Sequence, residues 1–156
     1  YLFFMLFILI FFISLLFNFS VLADLIYPHP NISPAEVISI QLNALMINDD
    51  PFEDSGIAQT WEFAHPLNRK YTGPLTNFKK MMKSGSYILM LNHQNHNIIP
   101  VSINDAEANY FVELTDKNGD FYGFTWIVSK VFETGKFKEC WMTSSVSRPL
   151  PLAKTT

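Results

Sequence analysis

The first 22 residues of the chain are almost entirely apolar. They include only three polar side chains, two serines and an asparagine, and the first charged side chain is Asp24. A helix needs about 20 apolar residues to cross the hydrocarbon core of a membrane. The segment ends in Val21-Leu22-Ala23, with small residues at the positions that a signal peptidase reads. We therefore expect residues 1–23 to be a cleaved signal peptide or, alternatively, an uncleaved membrane anchor.

Three stretches between residues 33 and 82 have the apolar spacing of short amphipathic helices. The first begins at Ser33-Pro34-Ala35-Glu36, a capping box with proline at the first helical position, and runs to about Asn48. The second begins near Asp50-Pro51 and ends at Pro66, and the third follows Thr72-Gly73-Pro74. The pattern predicts three helices in this part of the chain.

After Gly85 the apolar period changes from 3.6 to 2, which indicates strands. The Asn118-Gly119 pair favours a hairpin turn of type I′ between two of them. The expected strands are Tyr87–Leu91, Ile98–Ile103, residues 107–114, Phe121–Val131 and Phe137–Val146.

Helices followed by an antiparallel meander are typical of an α+β fold. We expect three N-terminal helices to pack on a curved antiparallel sheet, because their apolar stripes have no other partner. The domain would occupy residues 33–147, after the signal peptide or anchor at 1–23 and a proline-containing linker at 24–32. Residues 148–156, with Pro149 and Pro151, are predicted to be a disordered tail.

The charge distribution excludes some classes of partner. Between Asp24 and Asn68 there are seven acids and no Lys or Arg, whereas eleven bases and seven acids follow from Arg69 onward. With a formal net charge of −3, the scattered bases form no basic patch for nucleic acid.

The lone Cys140 is expected to pack as a small apolar residue. The apolar N-terminus predicts a chain in the secretory pathway, secreted or membrane-anchored, or alternatively in the lumen of an organelle.

Several short segments within residues 34–146 together carry a family resemblance. They are Asn48-Asp49-Asp50-Pro51, Asp54-Ser55-Gly56-Ile57, Phe63-Ala64-His65-Pro66, Asn68-Arg69, Thr72-Gly73-Pro74-Leu75 with Phe78, and Trp141-Met142-Thr143. In these segments the chain resembles domain-of-unknown-function family 4864, which is similar to the nuclear transport factor two-like (cystatin-like) fold group. His65 departs from the pattern, where a small residue such as Ser is expected.

That resemblance implies a cone-shaped fold, in which a curved sheet wraps on three helices and often leaves a cavity at the open end. It implies no function, because the fold group includes dehydratases, isomerases, binding modules and dimerisation domains.

The histidines, one tyrosine and one carboxylate are the candidates for chemistry. His93 and His96 fall at a strand end or turn, where residues three apart point to opposite faces or into solvent, so we expect a polar turn and no metal site. An acid/base site of the isomerase or dehydratase type needs a carboxylate or histidine inside an apolar cavity, for which His65, His93, Tyr87 and Asp54 are candidates. Asp54 and its acidic neighbours are better explained as helix caps and solvated turn residues. His65 is expected near the negative end of the preceding helix dipole. The sequence has no phosphate-binding loop or nucleophile elbow, and no cofactor is expected.

Aromatic side chains are expected to fill a small core, and in a cone-shaped fold some of them can line a pocket for an apolar or aromatic ligand. Arg69, in a loop between helices, is expected either to meet an anion at the mouth of that pocket or to bind a backbone carbonyl or an acid. The residues predicted to line the cavity are Trp61, His65, Arg69, Tyr87, His93, Tyr110, Trp126 and Trp141.

The leading functional hypothesis is an exported or membrane-tethered, non-catalytic module that binds a small ligand or another protein. One alternative is a small cavity enzyme of the lyase or isomerase type that uses a histidine, and another is a structural homodimer. The absence of a convincing acid/base pair weighs against an enzyme and leaves the question open. The expected partners are a small apolar or aromatic ligand, a membrane if the N-terminal segment is uncleaved, and a second copy of the chain.

Overall fold

The computed structural model describes residues 24–153, and the expected signal peptide or anchor at residues 1–23 lies outside that range. Within it, no helix combines the length and hydropathy that a membrane crossing requires. Residues 24–32 contain no helix or strand and are tied to the domain through Gln59. The Gln59 side chain accepts a hydrogen bond from Ile26 N–H and donates one to the Ile26 carbonyl, both at 2.7 Å.

Helix α1 spans Pro34–Met46 and begins where the capping box predicts. Ser33 Oγ accepts from the Glu36 N–H at 3.3 Å, and Glu36 Oε2 accepts from the Ser33 N–H at 2.8 Å. These bonds occupy two of the backbone donors that the first turn of a helix leaves free. The buried face of α1 consists of Val37, Ile38, Gln41, Leu42 and Leu45.

Three shorter α-helices and a 3₁₀ helix follow α1. Their bounds are α2 Ser55–Glu62, α3 Pro66–Thr72, α4 Leu75–Met82 and the 3₁₀ helix Gly85–Met90. Residues 68–70 were expected in a loop and instead belong to α3, because Pro66 occupies the first turn of a new helix. The strand expected at Tyr87–Leu91 is wrong as well. Tyr87 and Met90 are three residues apart, which is one turn of a 3₁₀ helix, and both line the same cleft between the helices and the sheet.

Within residues 24–153 the sheet has five antiparallel strands. They are β1 Asn95–Ile103, β2 Glu107–Thr115, β3 Phe121–Lys130, β4 Trp141–Val146 and β5 Leu150–Pro151. The order is β1-β2-β3-β4, and β5 pairs with β3 beyond the end of β4. Residues 137–140, expected in the last long strand, form a turn. Residues 148–153, assigned from the sequence to a disordered tail, include β5.

The loop between β2 and β3 differs from the expected type I′ turn. Gly119 has a φ of 88°, but Asn118 lacks the positive φ that this turn type also requires. Asp116 closes a longer loop instead, since its Oδ1 accepts from Asn118 N–H at 2.8 Å and from Asp120 N–H at 2.9 Å. Asparagine and aspartate side chains often close turns in this way.

The main core lies between the helices and one face of the sheet. The alternation predicted for β2 is confirmed, since Ala108, Tyr110, Val112 and Leu114 are all buried. They pair across the strands with Val128, Trp126, Phe124 and Tyr122 of β3. Cys140 packs, as expected, in a smaller apolar cluster with Val131 and Met142. The α+β architecture, with helices packed against an antiparallel sheet, is therefore confirmed.

Residues 47–54 form the loop that joins α1 to α2, and Asn48 fixes this loop to the start of α2. The Asn48 side-chain oxygen accepts from Ile57 N–H at 3.1 Å, and its backbone carbonyl accepts from Gly56 N–H at 2.9 Å. A side chain at Gly56 would overlap the Ala44 carbonyl, so only glycine lets the two helices approach this closely. These contacts give the Asn48–Ile57 segment a structural role.

The segment between α2 and α3 is hydrogen-bonded to β4. Ala64 forms a parallel bridge with Thr143, in which Thr143 N–H donates to Phe63 O and His65 N–H donates to Thr143 O, both at 2.8 Å. This bridge covers part of the outer edge of β4. It also brings Thr143 beside the buried face of α1.

Candidate functional site

A cleft with a volume of about 370 Å³ opens between the helices and β4. Its size is within the range of about 300–1,000 Å³ that is typical of small-molecule pockets. The inner wall is apolar and buried, and it is formed by Leu45, Phe78, Met82 and Met90. Helices α1 and α4 and the 3₁₀ helix contribute these residues, so the cleft depends on how the helices pack.

The buried end of the cleft contains a chain of uncharged hydrogen bonds. Trp126 Nε1–H donates to Thr143 Oγ1 at 3.1 Å, and Thr143 Oγ1–H donates to Gln41 Oε1 at 2.6 Å. Gln41 Nε2–H then donates to the Thr60 carbonyl at 2.9 Å. All four residues line the cleft and are at least 95% buried. Each of these buried side-chain atoms thereby has at least one hydrogen-bond partner, without which its burial would destabilise the fold.

The direction of this hydrogen-bond chain follows from chemistry. An indole N–H only donates, so Thr143 accepts from Trp126 and has a single hydroxyl hydrogen left to give. The Thr60 carbonyl can only accept, so the Gln41 amide atom beside it is the NH₂ nitrogen, and the amide atom beside Thr143 is the oxygen that accepts this hydroxyl hydrogen. The amide orientation of Gln41 is therefore determined by its partners.

The mouth of the cleft is more polar and more exposed. Tyr87 OH donates to the Val146 carbonyl at 2.9 Å, which joins the 3₁₀ helix to the end of β4. Asn68 Nδ2 donates to the Thr143 carbonyl at 3.3 Å from the opposite side. Tyr71 is 90% exposed at the rim. Among the described residues that line the cleft there is no Asp, Glu, His, Lys or Arg.

Two of the eight residues predicted to line a cavity do so, namely Tyr87 and Trp126. Tyr110 is buried in the main core. Trp141 is half-buried, and the Lys130 ammonium lies over its ring, 5.0 Å from the centroid. The structure places Trp61, His65, Arg69 and His93 outside the residues that line this cleft.

Arg69 binds backbone carbonyls, which is one of the two roles expected for it. Its Nε–H donates to Ala64 O at 2.9 Å, and its Nη2–H groups donate to Trp61 O at 3.0 Å and Glu62 O at 2.9 Å. The guanidinium carbon also lies 3.8 Å from the centroid of the Trp61 ring. The side chain thus caps the C-terminal end of α2, where a cation is favourable.

His65 serves as the N-cap of α3, and its predicted place at the negative end of a helix dipole is wrong. Its Nδ1 accepts from the Leu67 N–H at 3.2 Å, so the neutral ring carries its hydrogen on Nε2. Burial lowers the pKa of the His65 imidazole, which keeps the accepting nitrogen unprotonated. The side chain is 4% exposed and acts as a structural cap.

His93 and His96 face each other, which corrects the expectation that they point apart. His93 Nδ1 lies 2.7 Å from the Met90 carbonyl and donates to it, and His93 Nε2 lies 2.8 Å from His96 Nδ1, from which it accepts. Burial lowers the pKa of His93 to about 4, and it also lowers the pKa of His96. The described residues contain no group of three His, Cys, Asp or Glu side chains that could hold a metal ion.

Asp54 was expected to be a helix cap or a solvated turn residue. It occupies the N-cap position of α2, without a side-chain capping hydrogen bond, and it is buried, with 6% exposed. Its carboxylate accepts from Asn48 Nδ2 at 3.4 Å and lies 2.9 Å from Lys83 Nζ. This ion pair connects the start of α2 to the end of α4, and Asp54 does not line the cleft.

Gln41, Thr60 and Thr143 also line the cleft, and none of them was predicted to do so. A signal for Gln41 was present, because it lies within the buried stripe of α1, three residues after Ile38 and four before Leu45. A polar residue on an apolar helix face needs a buried partner. The partner is 102 residues away along the chain, so no local pattern could identify it.

No family model matches the chain, and comparison with curated proteins and with solved structures found no match. The resemblance to domain-of-unknown-function family 4864 therefore stays a prediction.

Proposed function

We propose that this protein is an exported or membrane-tethered, non-catalytic module that binds a small, uncharged and mainly apolar ligand in the cleft between its helices and β4. The observation that carries the proposal is a cleft of about 370 Å³ with apolar walls, a buried polar end and no charged lining residue among those described. In this proposal the fold is cone-shaped and nuclear transport factor two-like, and the cleft is its open end. We also propose that residues 1–23 direct the chain into the secretory pathway.

The chemistry of the lining supports a neutral ligand. A charged ligand would lose water on entry and find no opposite charge among the described lining residues, which is a large cost in free energy. An apolar ligand gains about 25 cal/mol for each Å² of apolar surface that it buries. The aromatic and methionine side chains of the wall, among them Phe78, Met82 and Trp126, suit such a ligand.

The same lining supports binding over catalysis. Acid/base catalysis requires a titratable group within hydrogen-bond reach of the substrate. The lyase or isomerase alternative would use His65 or His93. His65 accepts a hydrogen bond from Leu67 N–H, and both ring nitrogens of His93 are hydrogen-bonded, one to the Met90 carbonyl and one to His96. Neither histidine lines the cleft.

Titration with N-phenyl-1-naphthylamine, an uncharged fluorophore, tests the proposal. We expect a saturable rise in emission with one binding site per chain. Ser145→Trp places an indole at the exposed mouth of the cleft and should weaken binding about tenfold or more, equivalent to about 1.4 kcal/mol. Thr125→Trp is the matched control, because Thr125 is exposed on β3 and does not line the cleft.

Both variants carry the same added indole, so the comparison isolates its position. Partition of the fluorophore into any membrane or detergent is the same for both variants and cancels. Equal binding by Ser145→Trp, Thr125→Trp and the unmodified protein would place the fluorophore elsewhere and refute the proposal.

A further inference from the structure

The hydrogens at the buried end of the cleft can be accounted for one by one. The Trp126 indole N–H is given to Thr143, and the Thr143 hydroxyl hydrogen is given to Gln41 Oε1. The Thr60 hydroxyl donates to the Gly56 carbonyl at 2.8 Å. The Gln41 amide has two N–H groups, of which one donates to the Thr60 carbonyl. Its second N–H has no acceptor among the described residues.

We propose that the cleft selects a neutral, mainly apolar ligand that carries a hydrogen-bond acceptor, such as a carbonyl oxygen, and that this acceptor binds the second amide N–H of Gln41. The inference rests on the proposed ligand-binding function and names the class of ligand for that site.

The second Gln41 N–H is the feature at this end of the cleft that most strongly selects between ligands. A purely apolar ligand at this end of the cleft would leave the second Gln41 N–H unpaired. A buried N–H without a partner is rare in proteins, whereas an oxygen with one unused lone pair is tolerated more often. A ligand with an acceptor at this position avoids the cost, and a ligand without one does not.

The position of the Gln41 amide is fixed before any ligand arrives. Its oxygen is held by Thr143 at 2.6 Å and its nitrogen by the Thr60 carbonyl at 2.9 Å, and the side chain is 1% exposed. The donor therefore needs little reorganisation on binding, which favours selectivity. Carboxylates also carry acceptors, but the cleft offers them no positive charge among its described residues. The acceptor is accordingly a neutral oxygen or nitrogen.

Two probes of similar shape, acetophenone and ethylbenzene, separate the acceptor from the apolar surface. Both probes are titrated into the protein. The concentration of free probe is measured in solution, because ethylbenzene is more hydrophobic and more of it is lost to surfaces and to any detergent. Gln41→Met should weaken acetophenone binding about threefold to tenfold, as expected for the loss of one hydrogen bond, and should leave ethylbenzene binding unchanged or tighter. Gln59→Met is the matched control, because Gln59 is a buried glutamine outside the cleft.

The side-chain amide resonance of Gln41 in the unmodified protein gives a readout that does not depend on how well a variant folds. Acetophenone should shift this resonance, and ethylbenzene at equal occupancy should shift it much less. If Gln41→Met changes both affinities by the same factor, or the resonance responds equally to both probes, the acceptor preference is wrong although the cleft still binds apolar molecules. If neither probe binds the unmodified protein, the proposed function itself fails.

Discussion

Acidification should destabilise this protein through His93. The ring is 2% exposed and is surrounded by the core on the side of Met90 and by His96 on the other. Burial is the main reason why the pKa of His93 falls from 6.5 to about 4, and repulsion from a charged His96 acts in the same direction. The hydrogen bond to the Met90 carbonyl opposes the shift but does not cancel it.

The sign of the effect follows from proton binding. Between pH 6.5 and pH 4 the unfolded chain protonates this histidine and the folded chain does not, so the free energy of unfolding rises with pH in this window. The stability contributed by the neutral ring is complete above the unfolded pKa and is lost as the pH falls toward the folded pKa. At about 1.4 kcal/mol for each pKa unit, the full loss is about 3 kcal/mol. Burial lowers the pKa values of His65 and His96 as well, which adds to the loss in the same direction.

Urea denaturation at several pH values between 7.5 and 4.5 measures this dependence. In His93→Gln the amide can still donate to the Met90 carbonyl, and we expect a less stable protein at pH 7.5 with a flatter dependence of stability on pH. His29→Gln is the matched control, because His29 is exposed. If the unmodified protein and His93→Gln lose the same free energy of unfolding between pH 6.5 and 4.5, His93 is not the group that couples stability to pH.

The remaining predictions concern fixed points of the fold. Gly56→Ala should lower the free energy of unfolding by about 1–3 kcal/mol, seen as a lower Tm, because its methyl group overlaps the Ala44 carbonyl. Arg69→Met should cost about 1–3 kcal/mol in urea denaturation, since three carbonyl oxygens at the end of α2 lose their donors. Thr143→Val should destabilise by about 1–3 kcal/mol and shift tryptophan emission, because Trp126 N–H loses its acceptor.

Arg69→Met and Thr143→Val each have a control in the same protein. Lys70→Met removes an exposed positive charge one residue from Arg69, and Thr125→Val makes the Thr143 change at an exposed position. Unchanged stability in Arg69→Met, or equal losses for the two Thr→Val variants, would contradict the roles assigned to these side chains. For Gly56→Ala, an unchanged Tm would mean that α1 and α2 separate at little cost.

Local signals predicted the elements whose causes are local. The capping box at Ser33 set the start of α1, and the alternation around Tyr110 identified β2, because both patterns depend on neighbours in sequence. The segment at Tyr87–Leu91 misled the same reasoning, because a short apolar run can form a strand or a 3₁₀ turn. Packing of Tyr87 and Met90 along the cleft decided between the two.

The candidate site was harder to predict than the fold. Trp126 and Tyr87 were expected to line a cavity and do, because large aromatics on inward-facing positions lie wherever the interior leaves space. His65, Arg69 and His93 were also expected there, but each is occupied by a nearby backbone group. A polar side chain in a sequence does not show whether it serves a ligand or a helix end.

The sequence by itself determined the start of α1, strands β1 to β3 and the antiparallel order of the sheet, since these depend on capping and on the apolar period. Only the tertiary structure decided where the cleft lies and which polar atoms line it. Gln41 and Thr143 are far apart along the chain, and they meet because the Ala64–Thr143 bridge fixes β4 beside α1. Hydrogen bonds between such distant residues depend on the packing of complete elements, which no local pattern encodes.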